Sequence, residues 1–303
     1  MADEHQVRLA SRNQAAEASG GVPWTSAPSA APDDLEERDH DRDEIVLPEL
    51  LPSELGEIAD VPFDQLSDVE LADIGAWLEG AIIHWPTRPV RRMRRSSHGG
   101  TLDRRMTLDH ARRTGGDPVK LMWRKQHRRP RKVVMIADVS GSMQTFVRPY
   151  MHVMRALATH VEAETWAFST TLTRLTPALR HHDPVDAIAT ASKLVEDRFS
   201  GTRIASSLRA LMAHPTWSTS IRGAVVLIAS DGWDTDPPDE LDAAMARLAR
   251  LSHRIVWVNP RAAGDRFEPL VGGMAAALPH CTVMASGHSL QAMREVLVAL
   301  GSR

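Results

Sequence analysis

Val133-Val134-Met135-Ile136-Ala137-Asp138-Val139-Ser140-Gly141-Ser142 is the stretch that decides the fold. Five apolar residues closed by an aspartate fit a strand covered on both faces, as in the interior of a parallel sheet. Residues 224–229 repeat the pattern and end at Ser230-Asp231-Gly232. Between these strands the spacing predicts a helix over 144–161, short strands over 165–169 and 171–175, and helices over 184–197 and 203–213. Beyond the second strand, Asp236 is placed to cap a helix with Pro237 and Pro238 in its first turn. Asp239 and Glu240 lie beside that helix's N-terminal dipole. Strands over 255–258 and 282–285 and a helix over 289–300 complete the series. Strands alternating with helices give an α/β fold: a doubly wound, mostly parallel sheet flanked by helices, over residues 132–303.

Upstream of this region the chain changes character. Residues 1–87 hold 20 acidic and 4 basic side chains, net −16, and residues 88–132 hold 3 acidic and 16 basic, net +13. Residues 133–303 are balanced, so the net charge of −3 over 303 residues conceals three blocks. Residues 1–43 are rich in Ala, Ser, Pro, Asp and Glu with little apolar periodicity, the composition of a disordered acidic tail. In 44–87, Ser67-Asp68-Val69-Glu70 is a capping box, and Leu71, Ile74, Leu78 and Ile82 follow at helical spacing. That predicts a small helical segment. Residues 88–131 carry Arg91-Arg92-Met93-Arg94-Arg95 and Arg128-Arg129-Pro130-Arg131 and read as an extended basic arm packed on or beside the main domain.

Composition limits the functions available. Cys281 is the one cysteine, which excludes a disulfide framework and a Cys-rich zinc site. The longest apolar run is far short of the roughly 20 residues of a membrane span. No basic-then-apolar leader opens the chain, so the sequence reads as cytoplasmic. His181-His182 reads as a solvated loop pair, Cys281 as a core thiol, and His288 as a helix-start residue rather than a ligand.

The chemistry converges at one sheet edge. Ligands of such sheets bind beyond the carboxyl ends of the strands, where Asp138 and Asp231 both fall. Ser140 and Ser142 follow the first aspartate, and Ser200-Gly201-Thr202 opens a helix between the two strands. Three hydroxyls and two carboxylates form a hard, oxygen-only donor set of the kind Mg²⁺ prefers, with Mn²⁺ as a substitute. Each of these residues taken singly is also a good helix cap. Trp233 follows Asp231 on a loop; an exposed Trp there is an interface anchor, a covered one is packing. It is the candidate partner contact.

Asp138-Val139-Ser140-Gly141-Ser142-Met143, with Thr202 and Ser230-Asp231-Gly232, resembles the metal-ion-dependent adhesion site of von Willebrand factor A domains. The resemblance implies that Ser140, Ser142 and Thr202 approach the metal closely. Asp138 and Asp231 would then act directly or through water, and a partner Asp or Glu carboxylate would complete the octahedron. A narrower likeness is carried by Arg91-Arg92, Gly99-Gly100-Thr101-Leu102-Asp103-Arg104-Arg105-Met106-Thr107, Trp257-Val258-Asn259-Pro260, Gly273-Met274-Ala275-Ala276-Ala277-Leu278-Pro279 and His288-Ser289-Leu290. Across about residues 60–300 these resemble the CoxE-like branch, although Ser289 stands where Asn is the pattern and Gly287 where Ala is. That branch implies work beside a MoxR-type AAA+ ATPase, in some members during maturation of a molybdenum hydroxylase such as carbon monoxide dehydrogenase. It implies a binding or accessory protein rather than an enzyme.

Two other classes of function remain open from sequence. Ser142 as a hydrolytic nucleophile needs a base and lacks the Gly-x-Ser-x-Gly elbow. Asp138 as a phospho-acceptor lacks the second Asp, whose place Ser140 takes. Nucleic-acid binding by the basic arm has the charge for it, but Trp123 is the arm's one aromatic.

Overall fold

The computed structural model describes residues 53–81, 87–116, 120–195, 201–263 and 272–301. The acidic tail 1–43 and Ile82 lie outside these residues. The described part opens with α1 (Ser53–Glu57) and α2 (Asp68–Ala81), then β1 (Thr87–Ser96), β2 (Thr101–Leu102), α3 (Arg104–Ala111) and β3 (Trp123–Pro130). The main sheet follows: β4 (Val133–Asp138), α4 (Gln144–His160), β5 (Glu164–Phe168), β6 (Leu172–Arg174), α5 (Thr176–Leu179) and α6 (Pro184–Lys193). Then come α7 (Ile204–Ala213), α8 (Ser218–Ile221), β7 (Val225–Ala229), α9 (Pro238–Leu251), β8 (Arg254–Val258), α10 (Gly272–Ala277), β9 (Val283–Ala285) and α11 (Leu290–Gly301).

The six-stranded sheet runs β6-β5-β4-β7-β8-β9, parallel throughout except for β6. Successive β4 side chains alternate between two cores, as strand geometry requires. Val133, Met135 and Ala137 join one cluster with α2, α4 and α11, while Val134 and Ile136 join the other with α7, α9 and α10. The chain moves outward from β4 to β5 and β6, then returns to β7 on the other side of β4. The junction of β4 and β7 is therefore the topological switch point, where open α/β sheets bind ligands. None of the described helices is long and apolar enough to cross a membrane.

The capping box forms as its sequence predicts. The Ser67 N–H donates to Glu70 Oε2 at 2.7 Å and the Glu70 N–H to Ser67 Oγ at 3.4 Å. Leu71, Ile74 and Leu78 are buried in the same cluster as β4 and α4, so this helical segment belongs to the main core. Its entry is pinned to the far end of the chain: the Phe63 N–H donates to the His288 carbonyl at 2.8 Å. His288 indeed sits at a helix start, where Ser289 Oγ accepts from the Ala292 N–H. Cys281 is only half-buried, its thiol pushed up to about 12 by burial.

Two expectations are corrected. The basic stretch is a small antiparallel sheet of order β1-β3-β2 rather than a plain extended arm. Its polar sequence hides the strands because most of β1 is exposed, leaving no apolar alternation to read. Asp236 does not cap α9, whose N-cap is Pro237 with no side-chain cap. Instead, Asp236 Oδ2 accepts the Ser206 N–H in the first turn of α7, at 2.8 Å. Tertiary approach of two loops has overridden the local capping signal.

Candidate metal centre

Asp138 ends β4 and is wholly buried. The Ser140 N–H donates to its Oδ1 and the Ser230 hydroxyl to its Oδ2, each at 2.8 Å. Burial pushes this carboxyl up to about 6, the hydrogen bonds from Ser140 and Ser230 pull against it, and the neighbouring Asp231 charge adds to the rise. Ser140 occupies the N-cap position of a 3₁₀ turn (Gly141–Met143) but makes no side-chain cap. Its hydroxyl lies 3.2 Å from that of Ser142, which is exposed. Capping does not account for this serine pair.

Asp231 follows the end of β7 and is almost wholly buried. The Trp233 N–H approaches its Oδ1 at 3.4 Å. Its Oδ2 is buried and accepts no hydrogen bond, and Arg261 Nε lies 3.4 Å away as an ionic neighbour. A buried carboxylate oxygen without a hydrogen-bond donor costs free energy that an ion pair at 3.4 Å offsets only in part, so this atom stays open to a closer cation. Trp233 itself is 61% exposed. Gly232 between them has φ +82°, a left-handed conformation that favours glycine, and a Cβ there would press on the flexible end of Met274 of α10.

Thr202 arrives from the other loop. It is buried, and its carbonyl accepts from the Thr235 N–H at 2.9 Å and the Thr235 hydroxyl at 2.6 Å. Its own hydroxyl does not cap α7, because two aspartates from the loop after β7 do that work. Asp234 accepts the N–H groups of Ile204 at 3.1 Å and Ala205 at 3.2 Å, and Asp236 takes that of Ser206. The β7 loop thus holds the Thr202 segment by both backbone and side chains.

Asp138, Ser140 and Ser142 are linked directly to one another, and Asp138 is tied through Ser230 to the β7 loop. Thr202 joins this loop through its backbone. Sequence reasoning named Ser230, Asp236 and Asn259 without their roles at this site, and did not single out Asp234 or Arg261. Asn259 is buried beyond β8, donates to the Asp231 carbonyl at 3.2 Å and accepts the Arg261 N–H at 2.9 Å. A polar residue closing an apolar strand was the available signal for Asn259. Arg261, on a loop, left none.

The donor chemistry fits a hard divalent cation. No group of three or more His, Cys, Asp or Glu side chains among the described residues is placed to hold an ion. The donors at this edge are two carboxylates and hydroxyls. Asp231 Oδ2 accepts no hydrogen bond, and the Ser140 and Ser142 hydroxyls meet each other at the same edge, which leaves oxygen lone pairs there for a cation.

Residues 74–293 match the family model described as a VWA domain containing CoxE-like protein. No curated protein matches the chain. Among solved structures the chain is similar to proximal thread matrix protein 1 from the mussel byssus, at 13% identity and TM-score 0.38 over 56% of this chain and 46% of that one. A form of that mussel protein with a zinc-occupied MIDAS motif gives 12% identity and TM-score 0.36, over 56% and 47%. An aerotolerance-related membrane protein from Bacteroides fragilis NCTC 9343, with multiple mutations to serines, gives 11% and 0.36 over 56% of this chain and 98% of that one. The chain thus spans less than half the length of the mussel protein.

Proposed function

Because the chain belongs to the VWA-domain CoxE-like family, we propose that it is a non-catalytic, metal-dependent protein-interaction module. The observation that carries this reading is the buried Oδ2 of Asp231, which accepts no hydrogen bond, at the same sheet edge as Asp138 and the Ser140–Ser142 hydroxyl pair. Asp138, Ser140, Ser142, Thr202 and Asp231 would hold Mg²⁺, or Mn²⁺ in its place. When bound, the ion supplies a Lewis-acidic position for one further oxygen ligand. Two carboxylates nearly neutralise a divalent charge, so that position favours an Asp or Glu carboxylate from a partner protein. Trp233, exposed beside Asp231, packs against the partner around this contact.

The family resemblance supports a more specific role: an adaptor or co-chaperone of a MoxR-type AAA+ ATPase, acting in maturation of a metalloenzyme such as a molybdenum hydroxylase, in the cytoplasm. The helical segment 44–87 and the basic region 88–131 are proposed as extensions on the A-type domain at 132–303. Hydrolysis at Ser142 is disfavoured because the one side chain its hydroxyl meets among the described residues is Ser140, which is no base. Titration calorimetry with Mg²⁺ and Mn²⁺ tests the site. We expect one ion per chain for the native protein and none for Asp138→Ala. Equal affinity in both proteins overturns the assignment.

A further inference from the structure

The molecule holds a cation of its own at this centre. Arg261 lies just beyond β8, in a 3₁₀ turn (Pro260–Ala263), and its side chain is 53% exposed. Its Nε is 3.4 Å from Asp231 Oδ2, while its Nη2 donates a 2.7 Å hydrogen bond to the Ser142 carbonyl. Its backbone N–H is fixed by Asn259 Oδ1, whose amide also holds the Asp231 carbonyl. One guanidinium therefore bridges the loop after β4 to the loop after β7, and those two loops carry three of the five candidate ligands, Ser140, Ser142 and Asp231.

We infer that Arg261 and the divalent cation are alternative partners of Asp231 Oδ2, so that the ion binds only by displacing the guanidinium. This rests on the site assignment above. The geometry argues displacement rather than coexistence. Arg261 spends its well-formed hydrogen bond on Ser142, and its contact with Oδ2 is ionic only, leaving the oxygen's lone pairs unused. Asp231 is nearly inaccessible, so the charge pair is poorly screened on one side. A positive group 3.4 Å from a ligand oxygen repels an incoming divalent ion, and its half-exposed side chain has solvent to swing into. The same bridge links loading to loop position. Release of Arg261 frees Ser142 from its tie to the β8 loop, so the cation's arrival changes how the two ligand loops are held.

Calorimetric titration of the full chain with Mn²⁺ alone tests this, comparing the native protein with Arg261→Gln, Arg261→Lys and Arg250→Gln. Arg250 lies at the end of α9, exposed and away from the site, and controls for general loss of positive charge. The expected result is an affinity about tenfold higher in Arg261→Gln. Arg261→Lys and Arg250→Gln should stay within about twofold of the native protein. Unchanged or weaker binding in Arg261→Gln overturns the inference while leaving the metal site standing, and so does an equal gain in Arg250→Gln. No binding in either the native protein or Arg261→Gln overturns the site assignment and the inference together. Binding in Arg261→Gln alone supports both.

Discussion

The Ser230 hydroxyl reaches 92 residues back along the chain to donate a 2.8 Å hydrogen bond to Asp138 Oδ2, and neither residue has any accessible surface. The two central strands are thereby joined at their carboxyl ends through a side chain as well as through the sheet. Ser230 also accepts the Gly232 N–H at 3.1 Å, so one hydroxyl fixes both the first aspartate and the turn that presents the second.

Ser230→Ala should therefore be costly. It leaves a buried carboxylate oxygen and a buried N–H without partners, a loss of about 1–3 kcal/mol. Denaturant unfolding should show this as a lower midpoint at unchanged slope. Adding Asp138→Ala removes the oxygen that was orphaned, so the double variant should lose less than the sum of the two single losses. Simple additivity would show that the two side chains are not coupled.

Asp234→Ala should unsettle a site that Asp234 never enters. Its carboxylate accepts the N–H groups of Ile204, Ala205 and Asp236. Losing a cap costs about 1 kcal/mol, and here it also loosens the segment that presents Thr202. The expected readouts are a lower melting temperature and weaker Mn²⁺ binding, with both effects smaller in Asp234→Asn, which keeps one acceptor oxygen. Native metal affinity in Asp234→Ala would separate the cap from the site.

The architecture was legible because β4 and β7 are short, continuous apolar runs ending in Asp138 and Ser230-Asp231, and such runs have few other readings. α2 was legible for a similar reason: its capping box and the spacing of Leu71, Ile74 and Leu78 are local signals. β1 and β3 were not, since a strand exposed along most of its length carries no hydrophobic alternation, and arginines do not announce a partner strand. Asp236 misled for the opposite reason. Its local context is a good helix start, yet the loop folds back onto α7, a relation set by contacts about 30 residues apart. Arg261 is the extreme case. Its role depends on two loops meeting in space, and no spacing rule encodes that.

Divalent ions should stabilise the fold as well as bind to it. A ligand held only by the native state adds about 2.7 kcal/mol at a hundredfold excess over its dissociation constant. Mg²⁺ should raise the melting temperature of the native protein, and EDTA should reverse the rise. Thr202→Ala should respond less, because one hydroxyl donor is gone while the buried carboxylates remain. A full native-sized rise in Thr202→Ala would remove Thr202 from the ligand set.

The packing of α2 on α4 should make stability fall on mild acidification. His152 of α4 lies directly beneath Gly75 of α2, where an added Cβ would collide with its ring, so α2 can approach only because residue 75 has no side chain. Burial pushes the imidazole down to about 4, the charges of Arg148 and Arg155 push the same way, and Asp68 on α2 pulls back. Glu79 of α2 and Lys193 of α6 line the same cleft. An unfolded histidine titrates near 6.5, so between about pH 6.5 and 4 the unfolded chain binds more protons than the folded one. The contribution of His152 to stability therefore declines as pH falls through that window, by at most about 3 kcal/mol at about 1.4 kcal/mol per pH unit, while Asp138, raised to about 6 in the folded chain, acts with the opposite sign. Well above pH 6.5 the ring is neutral in both states and contributes no slope. His152→Leu should lose the decline attributable to residue 152 and unfold at higher denaturant than the native protein at pH 5, relative to their difference at pH 7. Gly75→Ala should be destabilised at both pH values, since its fault is steric. Parallel pH profiles for the native protein and His152→Leu would show that the ring is not held neutral by this packing.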